Sequence, residues 1–407
     1  MQVNTDPKQI EKFFDHKLDQ IYPSTQNLKE RLLSGNRLKF YIGADATGPN
    51  LHLGHLIPIL KMKELQALGH EIIFLVGDFT ARLGDPTDKS ETRKILSEDE
   101  VRANASTFKQ QIARYIDFES RDNPAKIVFN SEWNSELNLS NVIKLASNVT
   151  VQQMLERDMF QERLTSNKPI FLHEFLYPLI QGYDSVAMAV DGEFGGRDQT
   201  FNMLMGRTLL KTYKNIDKFV ITTHFLLSSD GQNKMSKSIG NCIFINDSAN
   251  DKFAKVMSIP DNLIGHYYRF GTYRALAEIE EIEKRLSAGA DPMQIKKQLA
   301  YEITQFHEGR EEADKALKFF EQTVQNSQIP DSAMQFSRSD FSEPELTLKD
   351  LVSQINAVGS NAEIKRLIRS NAVEVNGKIE SDLTKKFKIS AVDYLRIGKK
   401  TWIKIIN

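Results

Sequence analysis

The sequence predicts an α/β protein built on a doubly wound parallel sheet. Four short apolar runs have the composition of buried strands: Leu38–Gly43, His70–Asp78, Ala125–Asn130 and Lys218–Leu227. Stretches with helical spacing separate them, for example residues 56–69 and 97–116. Strands that alternate with helices favour a parallel sheet. Because such sheets bind ligands at the carboxyl ends of their strands, the polar residues that follow each strand are the first candidates for a site.

Length and composition predict a multidomain globular protein. At 407 residues the chain is long for one hydrophobic core, so two or three domains are expected. No apolar run reaches the roughly 18–20 residues that a membrane span needs. Cys242 is the only cysteine, which excludes an internal disulfide and a cysteine-based zinc or iron–sulfur site. The N-terminus lacks the apolar core of a signal peptide, so a cytoplasmic protein is expected.

Charge is unevenly distributed along the chain. Residues 343–407 carry 12 Lys and Arg against 8 Asp and Glu, although the whole chain has a net charge of -1. A basic end on an acidic body is typical of nucleic-acid contact. Residues 325–345 are polar and contain proline without helical or strand period, which indicates a linker. We therefore predict four segments: a doubly wound domain at 1–245, a helical domain at 246–324, the linker at 325–345, and a small α+β domain at 346–407.

The first candidate site follows the first strand. After a turn at Gly48-Pro49, His52 and His55 stand three residues apart near the start of an amphipathic helix, on one helix face. A helix N-terminus favours an anion. Two histidines at this spacing could instead bind a metal, or one could be a core residue. No cysteine and no nearby carboxylate completes a metal set, so no metal site is predicted. A phosphate-facing pair and a structural pair remain the two interpretations.

The second candidate is the polar segment 230–241, which carries Lys234 and Lys237 separated by Met-Ser. Taken alone, two lysines in such a segment are typical of a solvated surface loop. The alternative is that both ammonium groups meet a phosphate chain.

The third candidate lies within 175–207, which is predicted as a helix, a turn at Gly195-Gly196 and a second helix. Tyr177, Gln181 and Asp184 fall on one face of the first helix. Tyrosine at helical spacing is typical of a core. Glutamine and aspartate do not belong in an apolar core without polar partners, so this face is predicted to meet a polar ligand.

Two of these segments together resemble a known enzyme class. His52–His55 (HLGH) and Lys234–Ser238 (KMSKS) resemble the paired signatures of the class I aminoacyl-tRNA synthetases; only Leu53 departs from the consensus. Tyr-x-x-x-Gln-x-x-Asp, followed by Gly-Gly-x-Asp-Gln, resembles the tyrosine pocket of the bacterial tyrosyl members. The resemblance covers nearly the whole chain, through these further blocks: 41–45, 84–93, 130–133, 255–261 and the C-terminal domain. It implies a Rossmann-type catalytic domain.

The resemblance also implies a role for each matching residue. Asp184 would accept the phenol proton of tyrosine and Tyr41 would donate to the phenol oxygen. The remaining residues of the tyrosine pocket would be Asp85, Tyr177, Gln181, Gln199 and Asp45. ATP would be bound by Thr47, His52, Gly54, His55, Gly196, Asp198, Lys234 and Lys237, with Lys89 and Arg93 joining at the phosphates. Lys89 and Arg93 could alternatively be solvated loop charges, and Asp45 a turn residue.

The implied reaction is the activation of L-tyrosine by ATP, with Mg²⁺ but no dedicated protein ligand for it, and transfer to the 3′ end of tRNA(Tyr). The implied assembly is a homodimer. Residues 360–389 resemble a small RNA-binding module shared with a ribosomal protein, in which Lys365, Arg366 and Arg369 would contact RNA. In isolation that helix would be interpreted as a solvated basic helix. A turn at Asn376-Gly377 is predicted to join two strands.

Two departures and three alternatives accompany this interpretation. The family usually has proline at the position of Ala46 and a small hydroxyl residue at the position of Arg197. The nearest alternative is the tryptophanyl enzyme, which shares both signatures. A nucleotidyltransferase that adenylates a small acid, and a synthetase-like RNA-binding protein without activity, are the others. The basic C-terminal module disfavours the second, and the intact signature residues disfavour the third.

Overall fold

The computed structural model describes residues 3–87, 96–228, 231, 233–235, 242–326, 328–357, 359–398 and 401–406. The chain forms two compact units, Met1–Ile303 and Thr304–Asn407. The finer division at residues 245, 324 and 345 remains a prediction.

The first unit contains a mostly parallel sheet of six strands. They are β1 (Leu18–Tyr22), β2 (Lys39–Asp45), β3 (Glu71–Gly77), β4 (Lys126–Phe129), β5 (Gly192–Gly196) and β6 (Phe219–Thr223). Their order across the sheet is β1-β6-β5-β2-β3-β4, and only β1 at the edge runs antiparallel. The α/β class with a parallel sheet is therefore confirmed, and the four predicted strands correspond to β2, β3, β4 and β6.

The helices of the first unit connect and cover these strands. They are α1 (Pro7–Phe13), α2 (Thr25–Leu33), α3 (Leu53–Ala67), α4 (Thr80–Leu83), α5 (Glu98–Ala105), α6 (Phe108–Ile112), α7 (Ser131–Asn134), α8 (Leu139–Ala146), α9 (Val151–Leu155), α10 (Asp158–Thr165), α11 (Leu172–Met188), α12 (Thr200–Lys214), α13 (Ala249–Met257), α14 (Ile264–Gly271) and α15 (Leu276–Ser287), with α16 (Pro292–Glu308) running into the second unit. Within the described part of the chain, none of the helices combines the length and apolar character that crossing a membrane requires.

The direction of chain progression reverses at β2. From β2 the chain proceeds to β3 and β4 on one side, and it later returns to place β5 and β6 on the other. Ligands of open α/β sheets bind at such a reversal, outside the carboxyl ends of the strands. Asp45, Gly77 and Gly196 end the strands that meet there.

The prediction for residues 175–207 was wrong in one respect. Between α11 and α12 lies strand β5, and Gly195-Gly196 end that strand instead of forming a turn. The sequence does not predict strand β5 because three of its five residues are glycine, which is unfavourable in a strand. Packing explains the first glycine: a Cβ on Gly192 would lie 2.5 Å from the Phe40 ring. Strand β1 was not predicted either.

The second unit is a small α+β assembly that follows a helical start. Its helices are α17 (Arg310–Phe320), α18 (Leu348–Gln354) and α19 (Asn361–Arg369), and its strands are β7 (Met334–Ser337), β8 (Glu345–Thr347), β9 (Val373–Val375), β10 (Lys378–Ile379), β11 (Lys386–Lys388), β12 (Tyr394–Ile397) and β13 (Thr401–Ile406). The predicted turn at Asn376-Gly377 is confirmed, because it joins the antiparallel pair β9 and β10. Both turn residues have positive φ, 49° and 79°, as a type I′ hairpin turn requires.

The prediction of an irregular linker at 325–345 was wrong for part of that segment. Strand β7 lies inside it and pairs in parallel with β13, so that Phe336 stands opposite Ile405. The strand is only four residues long, and its first two side chains are exposed. It therefore shows none of the alternation by which a half-buried strand is recognised in a sequence.

Candidate active site

A cavity of about 1220 Å³ opens at the carboxyl ends of the strands, where the sheet order reverses. The structure brings these predicted site residues together in its lining: Tyr41, Asp45, Thr47, His52, Gly54, His55, Asp85, Tyr177, Gln181, Asp184, Gly196, Asp198, Gln199 and Lys234. Lys89, Arg93 and Lys237 lie outside the described residues. The exposed Lys365, Arg366 and Arg369 belong to α19 in the second unit.

Asp184 is a buried carboxylate held by three N–H groups. Its Oδ1 accepts from Trp133 Nε1 at 2.7 Å and Asn134 Nδ2 at 2.9 Å, and its Oδ2 accepts from Asn130 Nδ2 at 3.2 Å. Burial raises the pKa of Asp184 to about 8, and the three donors oppose that shift. The carboxyl group is thus held with little freedom to rotate and faces the cavity. A ligand O–H that donates to it as a fourth hydrogen bond favours its ionised, accepting form.

Tyr41, the predicted partner of Asp184 at the phenol, lines the same cavity from strand β2. Its hydroxyl is 2.9 Å from Ser185 Oγ, on the residue next to Asp184. Burial raises the pKa of Tyr41 well above its usual range, and the nearby Glu193 and Asp184 raise it further. The hydroxyl therefore keeps its proton throughout the neutral range and is able to act as a donor.

Tyr177 and Gln181 extend from the same face of α11 as Asp184. The Tyr177 hydroxyl donates to Asp45 Oδ2 at 2.9 Å, and Thr80 donates to Asp45 Oδ1 at 2.7 Å. Asp45 therefore connects β2 with α11 and α4. These contacts argue against the alternative interpretation that Asp45 is only a turn residue. Gln181 Nε2 lies 3.5 Å from Glu193 Oε1.

A chain of polar contacts runs from Asp85 to Lys234 along one side of the cavity. Gln199 Nε2 donates to Asp85 Oδ2 at 2.8 Å and to Asp198 Oδ2 at 3.2 Å. The Lys234 ammonium pairs with the same Asp198 oxygen at 2.5 Å. The predicted phosphate-binding lysine and the predicted ribose-binding aspartate are therefore direct neighbours.

The two histidines form the start of α3. His52 is the N-cap, and its backbone N–H donates to His55 Nδ1 at 3.1 Å. Because Nδ1 of His55 accepts, a neutral His55 carries its proton on Nε2 and can donate it. The two rings are 3.8 Å apart between centroids. Gly54 makes room for this arrangement, since a Cβ there would lie 3.0 Å from His52 Nδ1.

Backbone pairing fixes the described parts of both signature segments. Lys234 lies in a short antiparallel bridge with Leu227, and Met235 N donates to Leu226 O at 2.7 Å. The histidine segment pairs with a stretch that is distant in the sequence, where Leu53 N donates to Ile243 O at 3.0 Å.

Several residues at the site were missed by sequence reasoning. Trp133 and Asn134 follow strand β4, so their position after a strand was an available signal. Ser185, Glu193 and Lys218 gave no such signal, because their partners come from separate elements. The structure also gives Arg197 a contact, since its Nε lies 3.8 Å from Asp19 Oδ2. In the described ranges, no group of three or more His, Cys, Asp or Glu side chains is arranged to hold a metal ion.

The raised pKa of Asp184 predicts a pH-dependent contribution to stability. Between about pH 4, the ordinary range of an unfolded aspartate, and about pH 8, the folded chain keeps a proton that the unfolded chain releases. The resulting stabilisation is complete below the unfolded pKa and is lost as pH rises through the folded one. We expect the melting temperature of the tyrosine-free wild type to fall, relative to Asp184→Asn, between about pH 4 and about pH 8. A pH-independent difference between the two proteins would contradict the assignment.

Comparison with known proteins agrees with the architecture of the site. The model of the family described as tRNA synthetases class I (W and Y) matches residues 33–325. The tyrosine–tRNA ligase of Haemophilus ducreyi is 41% identical over 95% of this chain and 96% of its own. The tyrosine–tRNA ligase of Carboxydothermus hydrogenoformans is 43% identical over 94% of this chain and 93% of its own.

Solved structures share the fold at lower identity. A C-terminally truncated mitochondrial tyrosyl-tRNA synthetase from Coccidioides posadasii superposes with a TM-score of 0.60 at 22% identity, covering 77% of this chain and 91% of that one. A tyrosyl-tRNA synthetase from Archaeoglobus fulgidus, complexed with L-tyrosine, gives a TM-score of 0.58 at 22% identity over 77% of this chain and 99% of its own. With the cavity, its two signature segments and relatives matched over nearly their full length, this chain belongs to the class I tRNA synthetases, among the bacterial tyrosine–tRNA ligases.

Proposed function

We propose that the chain activates L-tyrosine with ATP to tyrosyl-adenylate and transfers the tyrosyl group to the 3′ end of tRNA(Tyr). The observation that carries the amino-acid choice is the pair formed by Asp184 and Tyr41. A phenol both donates and accepts a hydrogen bond, which suits a fixed carboxylate acceptor next to a tyrosine donor. An indole only donates, so tryptophan would offer the Tyr41 proton no acceptor on the ligand.

The cavity also suits the polar ends of the substrate. We assign the α-ammonium of tyrosine to the side of the cavity that carries Asp85, Tyr177 and Gln181. Asp85 is held in place by Thr87, whose backbone N–H and hydroxyl donate to Oδ1 at 2.9 and 2.6 Å, and by Gln199. An oriented carboxylate binds an ammonium without first having to reorganise. Asp45 and Gln199 complete the lining in this assignment.

In the first step the tyrosine carboxylate oxygen attacks the α-phosphorus of ATP, and pyrophosphate leaves with the electron pair of the broken P–O bond. No protein nucleophile is needed. The site has to supply hydrogen-bond donors and positive charge to the phosphates. We assign these roles to the N-terminus of α3 with Thr47, His52, Gly54 and His55, and to Lys234; Asp198 and Gly196 face the ribose. Lys237, Lys89 and Arg93 are proposed to join them.

In the second step a terminal ribose hydroxyl of tRNA attacks the carbonyl carbon of the adenylate, and AMP leaves. We propose that ATP enters as its magnesium complex, since Mg²⁺ is usually held by substrate phosphates and water with few protein ligands. Because tRNA charging supplies translation, we propose the cytoplasm as the compartment.

Amino-acid-dependent exchange of pyrophosphate into ATP tests the proposed function directly. We expect exchange with tyrosine and none above background with tryptophan. Exchange with tryptophan would instead show that the chain activates tryptophan, as the tryptophanyl enzymes of the family do. Exchange with neither amino acid would overturn the proposal.

We also propose that two copies of the chain form a dimer. Large apolar side chains are exposed in the stretch 139–172, which comprises α8 to α10 and the start of α11: Leu139, Ile143, Val151, Leu164, Phe171 and Leu172. Leu172 and Leu139 are the most exposed, at 77% and 75%. Concentrated apolar exposure of this kind usually marks a protein interface. A second copy is the occupant favoured by the family resemblance.

A charge placed on this stretch is expected to separate the copies. We predict that the double variant Ile143→Asp/Leu172→Asp sediments as a monomer at concentrations at which the wild type is a dimer, because each aspartate would have to be buried without a partner. The control is Ile379→Asp, an equally exposed apolar position in the second unit, which should leave the dimer intact. Dimerisation that survives the double variant would exclude this stretch as the interface.

The helix α19 is proposed to contact tRNA phosphates. Lys365, Arg366 and Arg369 are all exposed, but Arg366 already forms an ion pair with Glu363, its Nε lying 3.0 Å from Oε2. Lys365 and Arg369 are therefore the more available charges.

Removing Lys365 and Arg369 should weaken tRNA binding without affecting amino-acid activation. For Lys365→Ala/Arg369→Ala we expect a higher KM for tRNA and a salt dependence of binding reduced by about one to two phosphate contacts. Pyrophosphate exchange should be unchanged. Lys349→Ala, in the same unit but on α18, provides the control for a general loss of positive charge. An unaltered salt slope would indicate that α19 is only a solvated basic helix.

A further inference from the structure

Tyr41 of β2 and three buried polar side chains behind its hydroxyl form a cluster contributed by four separate parts of the chain. Ser185 comes from α11, Glu193 from β5, and Lys218 from the residue before β6. All four side chains are buried, and Ser185 and Lys218 have no exposed surface. Lys218 Nζ donates to Ser185 Oγ at 2.8 Å and forms an ion pair with Glu193 Oε2. Ser185 Oγ in turn lies 2.9 Å from the Tyr41 hydroxyl.

Stability alone gives little reason to place an ion pair here. Removing two charges from water is costly, and replacing a buried pair with apolar residues is often neutral or stabilising. The fold nevertheless reserves space for the lysine. A Cβ on Gly206 of α12 would lie 2.7 Å from Lys218 Nζ and 2.8 Å from Ser185 Oγ, so a side chain at this position would displace both polar atoms from their present contact. Burial lowers the pKa of Lys218, while Glu193 opposes that shift and favours the charged ammonium.

The chemistry of the partners determines which atom donates in each contact. An ammonium has three protons and no lone pair, so Ser185 must accept from Lys218. Among the described residues, the other partner of the Ser185 hydroxyl is Tyr41, which must therefore receive the Ser185 proton. The oxygen of Tyr41 is then already an acceptor, and its own proton points away from Ser185. Hydrogen bonds thus run from Lys218 through Ser185 to Tyr41.

Lys218 also affects the other acceptor near Tyr41. The Glu193 carboxylate lines the cavity and contributes to the raised pKa of Tyr41, so it competes for the Tyr41 proton. Its ion pair with Lys218 satisfies one oxygen and neutralises its charge, which weakens that competition. Without the lysine, an unpaired Glu193 carboxylate would attract the Tyr41 proton and turn it away from a ligand.

We propose that Lys218, acting through Ser185 and Glu193, is a positioning residue that makes Tyr41 the hydrogen-bond donor to the substrate phenol and so sets the preference for tyrosine over phenylalanine. This inference rests on the proposed function, since it assumes that the phenol of tyrosine binds at Tyr41 and Asp184. Lys218 itself touches neither the substrate nor the reacting atoms in this assignment.

The test is the ratio of kcat/KM for tyrosine to that for phenylalanine in pyrophosphate exchange. In Lys218→Met/Glu193→Gln, which removes both charges and leaves none unpaired, we expect this ratio to fall about tenfold, the factor that corresponds to one lost hydrogen bond. The loss should appear in KM for tyrosine, with the phenylalanine reaction unchanged. Ser185→Ala, a smaller change that preserves the ion pair, should lower the ratio in the same direction.

Combination with Tyr41→Phe separates a positioning role from a structural one. Once the Tyr41 hydroxyl is absent, the lysine–glutamate variant should produce no further change in the ratio. An equal fall with both amino acids, or an effect that persists unchanged in the Tyr41→Phe background, would overturn the proposal.

A second buried ion pair provides the matched control. Arg163 and Glu174 are as deeply buried as Lys218 and Glu193 and lie outside the cavity lining, with Arg163 Nη1 2.8 Å from Glu174 Oε1. Arg163→Met/Glu174→Gln should leave the ratio at its wild-type value even if it lowers the melting temperature. Failure of the wild type to exchange with tyrosine would refute the proposed function, and that outcome is distinct from any change in the ratio.

Discussion

Replacing Asp184 with asparagine is expected to reduce kcat/KM for tyrosine by about 10²–10³, because the hydrogen bond to an ionised acceptor is worth about 1.5–3 kcal/mol and the substitution also disturbs its three donors. The phenylalanine reaction should be unaffected or slightly improved, since the wild-type site leaves a buried carboxyl group without its ligand partner when phenylalanine binds. The measurement is pyrophosphate exchange with each amino acid.

Asp78 offers a control of the same chemistry. It follows β3, accepts from Ser131 N at 2.8 Å and from Ser131 Oγ at 2.6 Å, and does not line the cavity. Asp78→Asn should therefore change the thermal stability without changing the preference for tyrosine. If Asp184→Asn were to lower both amino-acid reactions by the same factor, Asp184 would be a structural residue and the phenol assignment would fail.

Replacing His55 with alanine is the second substitution with a large expected effect. We expect the rate of tyrosine activation to fall by about 10²–10³, the usual consequence of removing one donor aimed at developing negative charge. Tyrosine affinity should change by less than about twofold, because the proposed contact is with the phosphates. Single-turnover formation of the adenylate, together with equilibrium binding of tyrosine, separates the two quantities.

His55 also stabilises the start of α3, since it accepts the His52 N–H, and its loss should lower stability by about 1 kcal/mol. Ser24→Ala controls for that contribution. It removes the side chain that caps α2 by accepting Asn27 N at 3.2 Å, at a helix start that does not line the cavity. If His55→Ala weakened tyrosine binding by the same factor as it lowered the rate, the proposed contact of His55 with the phosphates would be contradicted.

Local pattern was sufficient for the main architecture, whereas most of the cavity-lining residues were predicted from the family resemblance. The alternation of apolar runs with amphipathic stretches predicts the parallel sheet, and the carboxyl ends of those strands are where the lining residues are found. The helical spacing of Tyr177, Gln181 and Asp184 correctly predicted that they share one face of α11. These predictions succeed because spacing along a single helix or strand determines which side chains point in the same direction.

Local pattern failed where structure depends on a neighbour that is distant in the sequence. Strand β5 contains three glycines and is a strand because it pairs in parallel with β2 and β6, while the Phe40 ring leaves no room for a side chain at Gly192. Strand β7 exists because β13, some 70 residues later, offers it an unpaired edge. In both cases the stabilising hydrogen bonds join residues that are distant in the sequence, so the local composition of the strand does not predict them.

By itself, the sequence determined the fold class and the enzyme family, and it predicted most of the residues that line the cavity. Only the tertiary structure decided how the proposed acceptor and donor of the phenol are held: Asp184 by Trp133, Asn134 and Asn130, and Tyr41 by a serine, a lysine and a glutamate from three further parts of the chain. The physical reason is that the proposed ligand contacts come from short motifs at strand and helix ends. The buried groups that orient them are paired only when the sheet and the helices α11 and α12 pack together.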